Sequence, residues 1–206
     1  MMKERHVCLG YDVRSDWKTD PADWSEKRRD LYLINKEVSR PLSTDRSVWP
    51  SLFDVLEFSE ERTIQENVCQ LYDDSNELKD MAQKISKKNK LPWVLIAITL
   101  LWETVAKNER GMWSEFLHCL SVKPLNLPET AKWMGFDVSD QAFLSGLTNC
   151  GYDRIQKSEL IAKWGPHLNE FHLFHHFDQA NDFKDFTNGR VKEHAPFYVY
   201  GIWMLM

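Results

Sequence analysis

Pro196-Phe197-Tyr198-Val199-Tyr200-Gly201-Ile202-Trp203-Met204-Leu205-Met206 is an apolar stretch rich in aromatic and β-branched residues. Those residue types suit a pleated, half-buried strand, and a strand held in a sheet is not a frayed tail. A second run, Trp93-Val94-Leu95-Ile96-Ala97-Ile98-Thr99-Leu100-Leu101-Trp102, lies between Pro92 and the polar Glu103. Periodicity alone does not separate a central strand from a buried helix here; the β-branched content favours a strand. His6 to Val13 reads as a short strand ended by the polar Arg14-Ser15-Asp16, and Leu31-Tyr32-Leu33-Ile34 as a further one.

Trp133-Met134-Gly135-Phe136-Asp137-Val138 repeats the texture of Cys8-Leu9-Gly10-Tyr11-Asp12-Val13. Two strands ending independently in similar polar turns is the expected reading of so short a match. A sharper one puts Asp12 and Asp137 at equivalent strand ends. Helical spacing spans the rest. Trp49 to Leu56 opens with a proline at a first turn, and Ser59 caps a start at Glu60-Glu61. Ile64, Val68, Leu71, Leu78, Met81 and Ile85 follow at helical intervals, broken at Asp73-Asp74-Ser75-Asn76. Ile155 to Trp164 is stopped by Gly165-Pro166. Asp178 to Phe186 has Asp178 available as cap and Asn188-Gly189 as terminator. The expectation is a single compact α+β domain over residues 1–206, with a mixed or antiparallel sheet and several packed helices.

Composition narrows the function classes. Of 206 residues 43% are hydrophobic and 13% aromatic, enough for a sizeable core. The 31 acidic and 26 basic residues leave a formal charge of -5, so nucleic acid is not expected as a partner, whereas a basic protein is permitted. Cys8, Cys69, Cys119 and Cys150 are far apart with no C-x-x-C pair, which points to free buried thiols and not to a zinc or redox site. The charged opening Met1-Met2-Lys3-Glu4-Arg5-His6 lacks a signal core, and the Trp93–Trp102 run is about half of a membrane span. A cytoplasmic protein that does not enter the membrane is expected.

Chemistry-bearing motifs are few. His167, His172, His175, His176 and His194 cluster, and His172 to His176 would offer two ligands in either extended or helical geometry. They alternate with Phe171, Leu173, Phe174 and Phe177 as an amphipathic element does, so no metal is expected; a small metal-assisted hydrolase using this region with Asp137 or Asp140 is the alternative reading. His118 and Cys119 are adjacent and would face opposite ways on a strand. Ser145 lacks the G-x-S-x-G elbow. Glycines are scattered and form no phosphate-binding loop, so no cofactor is implied. Acidic residues gather instead at Asp12, Asp16, Asp20 and Asp23, at Asp73, Asp74 and Glu77, and at Asp178, Asp182 and Asp185. Beside Trp17 and Trp24 such carboxylates make a surface for a basic partner. The partner-binding candidates are Asp12, Asp16, Trp17, Asp20, Trp24, Asp73 and Asp74.

Trp133–Asp140, Leu144-Ser145-Gly146-Leu147-Thr148-Asn149-Cys150-Gly151-Tyr152 and His194–Gly201 resemble stretches of bacterial proteins of the toxin-immunity type. The resemblance covers roughly the last third of the chain and transfers no residue role. It implies a cytosolic, non-enzymatic protein that neutralises a toxin domain by binding it.

Overall fold

In the computed structural model, residues 6–15, 71–80, 83, 93–107, 114, 125–141, 143, 145–147, 154–169, 171 and 173–205 are described. Four strands, β1 (His6–Ser15), β2 (Trp93–Leu101), β3 (Lys132–Ser139) and β4 (Tyr198–Leu205), form one antiparallel sheet in the order β1-β2-β4-β3. The helices are α1 (Trp102–Lys107), α2 (Arg154–Trp164) and α3 (Phe177–Arg190), with a 3₁₀ turn at Gly165–His167 and a further helical stretch over 75–80. The class is α+β, as expected. The expected strand at 31–34 and the helices at 49–56 and from 59 lie outside the described residues.

The apolar end run forms a strand, but a central one and not a half-buried one: Tyr198 through Trp203 are all buried. Both of its faces are covered. On one, Tyr198, Tyr200 and Ile202 pack with Ile96, Ile98, Leu100, Leu9, Met134 and Val105. On the other, Val199 joins Phe136, Phe174, Ala180 and Phe183 under α3. Trp203 joins Cys8, Tyr11, Tyr72 and Leu78 beneath the 75–80 helix. Ile96, Ile98, Leu100 and Ile202 are fully buried, each contributing about 1.5–3 kcal/mol of burial.

The two strands of similar texture are the two edges. Each has a register break at its glycine, between Cys8 and Gly10 in β1 and between Trp133 and Gly135 in β3. Both glycines have positive φ, 152° and 143°. A side chain at Gly135 would also meet the Leu173 Cβ at 2.7 Å and the Phe174 carbonyl at 3.0 Å, so both conformation and space call for glycine. Asp12 pairs with Ile96 and Asp137 with Tyr200, so both carboxylates stand on the same inner face. The independent-strands expectation gives way to the sharper one: Asp12 and Asp137 occupy equivalent places. A bulge plus an inward-pointing acid is a device that keeps an edge strand from pairing with foreign strands.

Helix ends differ from the sequence expectation. Asp178 lies within the first turn of α3 and His176 holds the N-cap position without a side-chain cap. Asn188-Gly189 does not end α3, because Gly189 does not take the left-handed backbone of a terminating glycine and the helix runs on to Arg190, closed by Val191 N–H to the Thr187 carbonyl (2.8 Å); the Asn188 amide oxygen instead accepts the Phe197 N–H (2.8 Å). At 73–76 the expected break is present: Asp74 Oδ1 accepts from the backbone N–H groups of Asn76 (2.9 Å) and Glu77 (3.0 Å), starting the helix at 75.

Candidate functional site

Helix α3 divides its residues by period. Ala180, Phe183 and Thr187 turn to the sheet, while Asp178, Asp182 and Asp185 are exposed. The 75–80 helix does the same with a buried Leu78 and exposed Asp74, Glu77 and Asp80. Val199 and Trp203, which these helices cover, point to one side of β4, so both acidic ridges rise from the same sheet face. Among the cations on α3, Lys184 is held by Asn181 Oδ1 (2.6 Å) and Asp185 (3.2 Å), and Arg190 lies 3.8 Å from Glu159. Its guanidinium also stacks over Phe186 at 5.7 Å. The outer stripe of α3 is thus dominated by carboxylates.

Beside α3 opens a cleft of about 600 Å³. Its walls are Glu103 and Thr104 of α1, Phe177, Lys184 and Asp185 of α3, and the chain entering β4 at Tyr198. That volume is within the range of ligand sites. Asp185 belongs both to the cleft and to the acidic stripe, so the two are continuous. Trp102, 51% exposed, begins α1 immediately before Glu103.

The expected site residues fare unequally. Asp16, Trp17, Asp20 and Trp24 lie outside the described residues. Asp12 is only 8% exposed and belongs to the body of the sheet. Asp73 is half-buried and Asp74 is exposed while capping its helix. Asp178, Asp182 and Asp185 belong to the acidic groups the sequence offers to a basic partner but are not among its named partner-binding candidates; their i, i+4, i+7 spacing is the signal that joins them on one helix face. Asp80 was missed, and so was the α1–α3 cleft, whose walls come from residues 101–104 and 177–199 and meet only in the fold.

For the hydrolase alternative, His172 lies outside the described residues, and His175 and His176 are exposed with ring centroids 6.1 Å apart. Asp137 is fully buried and accepts from Val138 N–H (2.8 Å), Ser145 Oγ (3.0 Å) and Ser139 Oγ (3.4 Å), which makes it a structural hub closed to a substrate. Asp140 lies 3.3 Å from His194 Nδ1. Among the described residues no three His, Cys, Asp or Glu side chains converge as a metal would need, and no helix is long and apolar enough to cross a membrane. His118, Cys119 and Cys150 are not described. Cys8 is a free, buried thiol pushed up to about 12 by burial.

A polar seam crosses the centre of the sheet. Trp203 Nε1–H donates to Thr99 Oγ1 (3.0 Å) and the Thr99 hydroxyl donates to the Gly201 carbonyl (3.1 Å). The one hydroxyl proton is thereby committed, so His6 Nδ1, 2.8 Å away, is the donor to Thr99. The imidazole is boxed by Trp133, Phe136 and Trp203 at 5.8–6.3 Å. It lies where a Gly201 side chain would be, within 3.0 Å of that Cβ position. This seam joins β1 to β4 across β2 and is structural.

No family model, characterised protein or solved structure matches the chain.

Proposed function

We propose that this protein acts by binding another protein, and that its partner is basic, in the manner of an immunity protein that covers the cationic surface of a toxin domain in the cytoplasm. One observation carries the reading: six exposed carboxylates, Glu77 and Asp80 on the 75–80 helix with Asp74 capping it, and Asp178, Asp182 and Asp185 on α3, stand on the same face of the sheet. Charges of this kind on the rim of an interface accelerate encounter and select against acidic partners. The affinity itself needs a desolvated anchor, and the half-exposed Trp102 is a large apolar side chain available for one.

The test is capture from an extract of the native host at low salt, with the immobilised full chain compared with its Asp178→Asn/Asp182→Asn/Asp185→Asn variant. The expected result is one stoichiometric basic protein on the parent chain, retained less by the variant and released by raised salt. Absence of any stoichiometric protein, or equal retention by the variant, would remove the proposal.

A further inference from the structure

We infer that, among the described residues, the sheet is built from two equivalent strand–helix–strand units, β1 with the 75–80 helix and β2, and β3 with α3 and β4, and that the β2·β4 seam is the interface between the two units. The registers carry the inference. In the first unit Gly10 pairs with Ile98, Tyr11 with Ala97, Asp12 with Ile96 and Val13 with Leu95. In the second Gly135 pairs with Ile202, Phe136 with Gly201, Asp137 with Tyr200 and Val138 with Val199. Exchanging β1 with β3 and β2 with β4 therefore carries one set of pairs onto the other, bulge included.

The seam obeys the same exchange. Ile98 pairs with Ile202, and Ala97 with Trp203 is matched by Gly201 with Thr99. That reciprocity, in which residue i meets j and the counterpart of j meets the counterpart of i, is the signature of an isologous two-fold contact. Its axis passes through the Ile98/Ile202 pair.

The equivalence reaches beyond the sheet. Tyr11 exchanges both backbone hydrogen bonds with Tyr72 (2.9 and 2.9 Å), and Phe136 does so with Phe174 (2.9 and 2.8 Å). Each bridging aromatic follows a buried leucine, Leu71 or Leu173, and precedes a helix by a few residues. The first buried helical residue, Leu78 or Ala180, comes at the same distance from the bridge and lies under the same side of the sheet. A chance match of six residues would not bring along the bridge, the helix and the central pairing.

The test exploits interchangeability in the full chain. Residues 71–80 take the residues of 173–182, with Leu78 kept to preserve volume: Tyr72→Phe, Asp73→His, Asp74→His, Ser75→Phe, Asn76→Asp, Glu77→Gln and Lys79→Asn. The reciprocal graft keeps Ala180 and carries the first unit's residues into 173–182. Controls carry each graft displaced by one position. Cooperative melting of at least one in-register graft within about 10 °C of the parent, with loss of the transition in the displaced controls, is the expected result. Loss of cooperative melting in both in-register grafts, or displaced grafts that melt like the in-register ones, overturns the inference.

Discussion

Gly135→Ala is the most informative single perturbation of the fold. The backbone there has φ +143°, where an L side chain costs about 1–3 kcal/mol. The added methyl would also stand 2.7 Å from the Leu173 Cβ and 3.0 Å from both Asn169 Nδ2 and the Phe174 carbonyl oxygen. None of these neighbours is the loose end of a long side chain. Asn169 is fixed by donating to the Met134 carbonyl (2.6 Å) and accepting from Phe171 and Leu173 N–H (2.9 and 3.1 Å), and Phe174 by its bridge to Phe136. Overpacking of such a site adds about 1–3 kcal/mol, giving a loss of about 2–6 kcal/mol. Gly189→Ala supplies the contrast, because it lies in α3 with nothing within 4 Å of the new methyl, and a gain of about 0.4–1 kcal/mol is expected. Urea unfolding followed by tryptophan fluorescence measures both. A Gly135→Ala chain within about 0.5 kcal/mol of the parent would refute the close approach of the Leu173–Phe174 segment to β3.

Three further outcomes follow from the same contacts. Asp137→Ala leaves the Val138 N–H and the Ser139 and Ser145 hydroxyls without their buried acceptor, for a loss of about 2–4 kcal/mol by urea unfolding; a loss under about 0.5 kcal/mol would show that the carboxylate is not the hub. Above pH 9 stability falls. The Cys8 thiol, ordinarily near 9.0, is held up at about 12 by burial, so the unfolded chain releases its proton first and stability is lost progressively as the pH rises from 9 towards 12. The Tyr11 hydroxyl is also pushed upward by burial and steepens the loss above pH 10, whereas Cys8→Ala flattens the melting-temperature profile between 9 and 10; an unchanged profile would contradict the assignment. Gly201→Ala drives a methyl to 2.5 Å from Thr99 Oγ1 and into the His6 ring, so thermal melting should fall in that variant and recover partly when His6→Ala is added; no recovery would place the crowding elsewhere.

What the sequence made legible depended on how local the signal was. The strands at His6, Trp93 and Trp133 and the end run were all readable from β-branched and aromatic content, and α2 from its Gly165-Pro166 stop. The central place of β4 was not, because it depends on pairing with β2 and on cover by the 75–80 helix, both about a hundred residues away in sequence. Asn188-Gly189 misled as a helix terminator because a glycine permits the left-handed backbone without requiring it, and Gly189 stays within the helix. The repeated Gly-aromatic-Asp-Val texture carried more than a short motif usually does, since its meaning is in the register of two edge strands. Of the candidate surface, Asp74 was legible as acidic and exposed. Asp12 was not legible as buried, because its inward orientation follows from the bulge at Gly10. Asp178, Asp182 and Asp185 share one stripe already in the helix expected over 178–186; what the structure adds is the face of the sheet they rise from.

The central functional claim is that the carboxylates of the two helices meet a basic protein. The most direct measurement is calorimetric titration of the captured partner into the full chain and into Asp178→Asn/Asp182→Asn/Asp185→Asn, at low and raised ionic strength. The account expects one-to-one binding that weakens at least tenfold in the variant, about 1.4 kcal/mol, together with a smaller salt dependence. Equal affinity and equal salt dependence in both chains would contradict it.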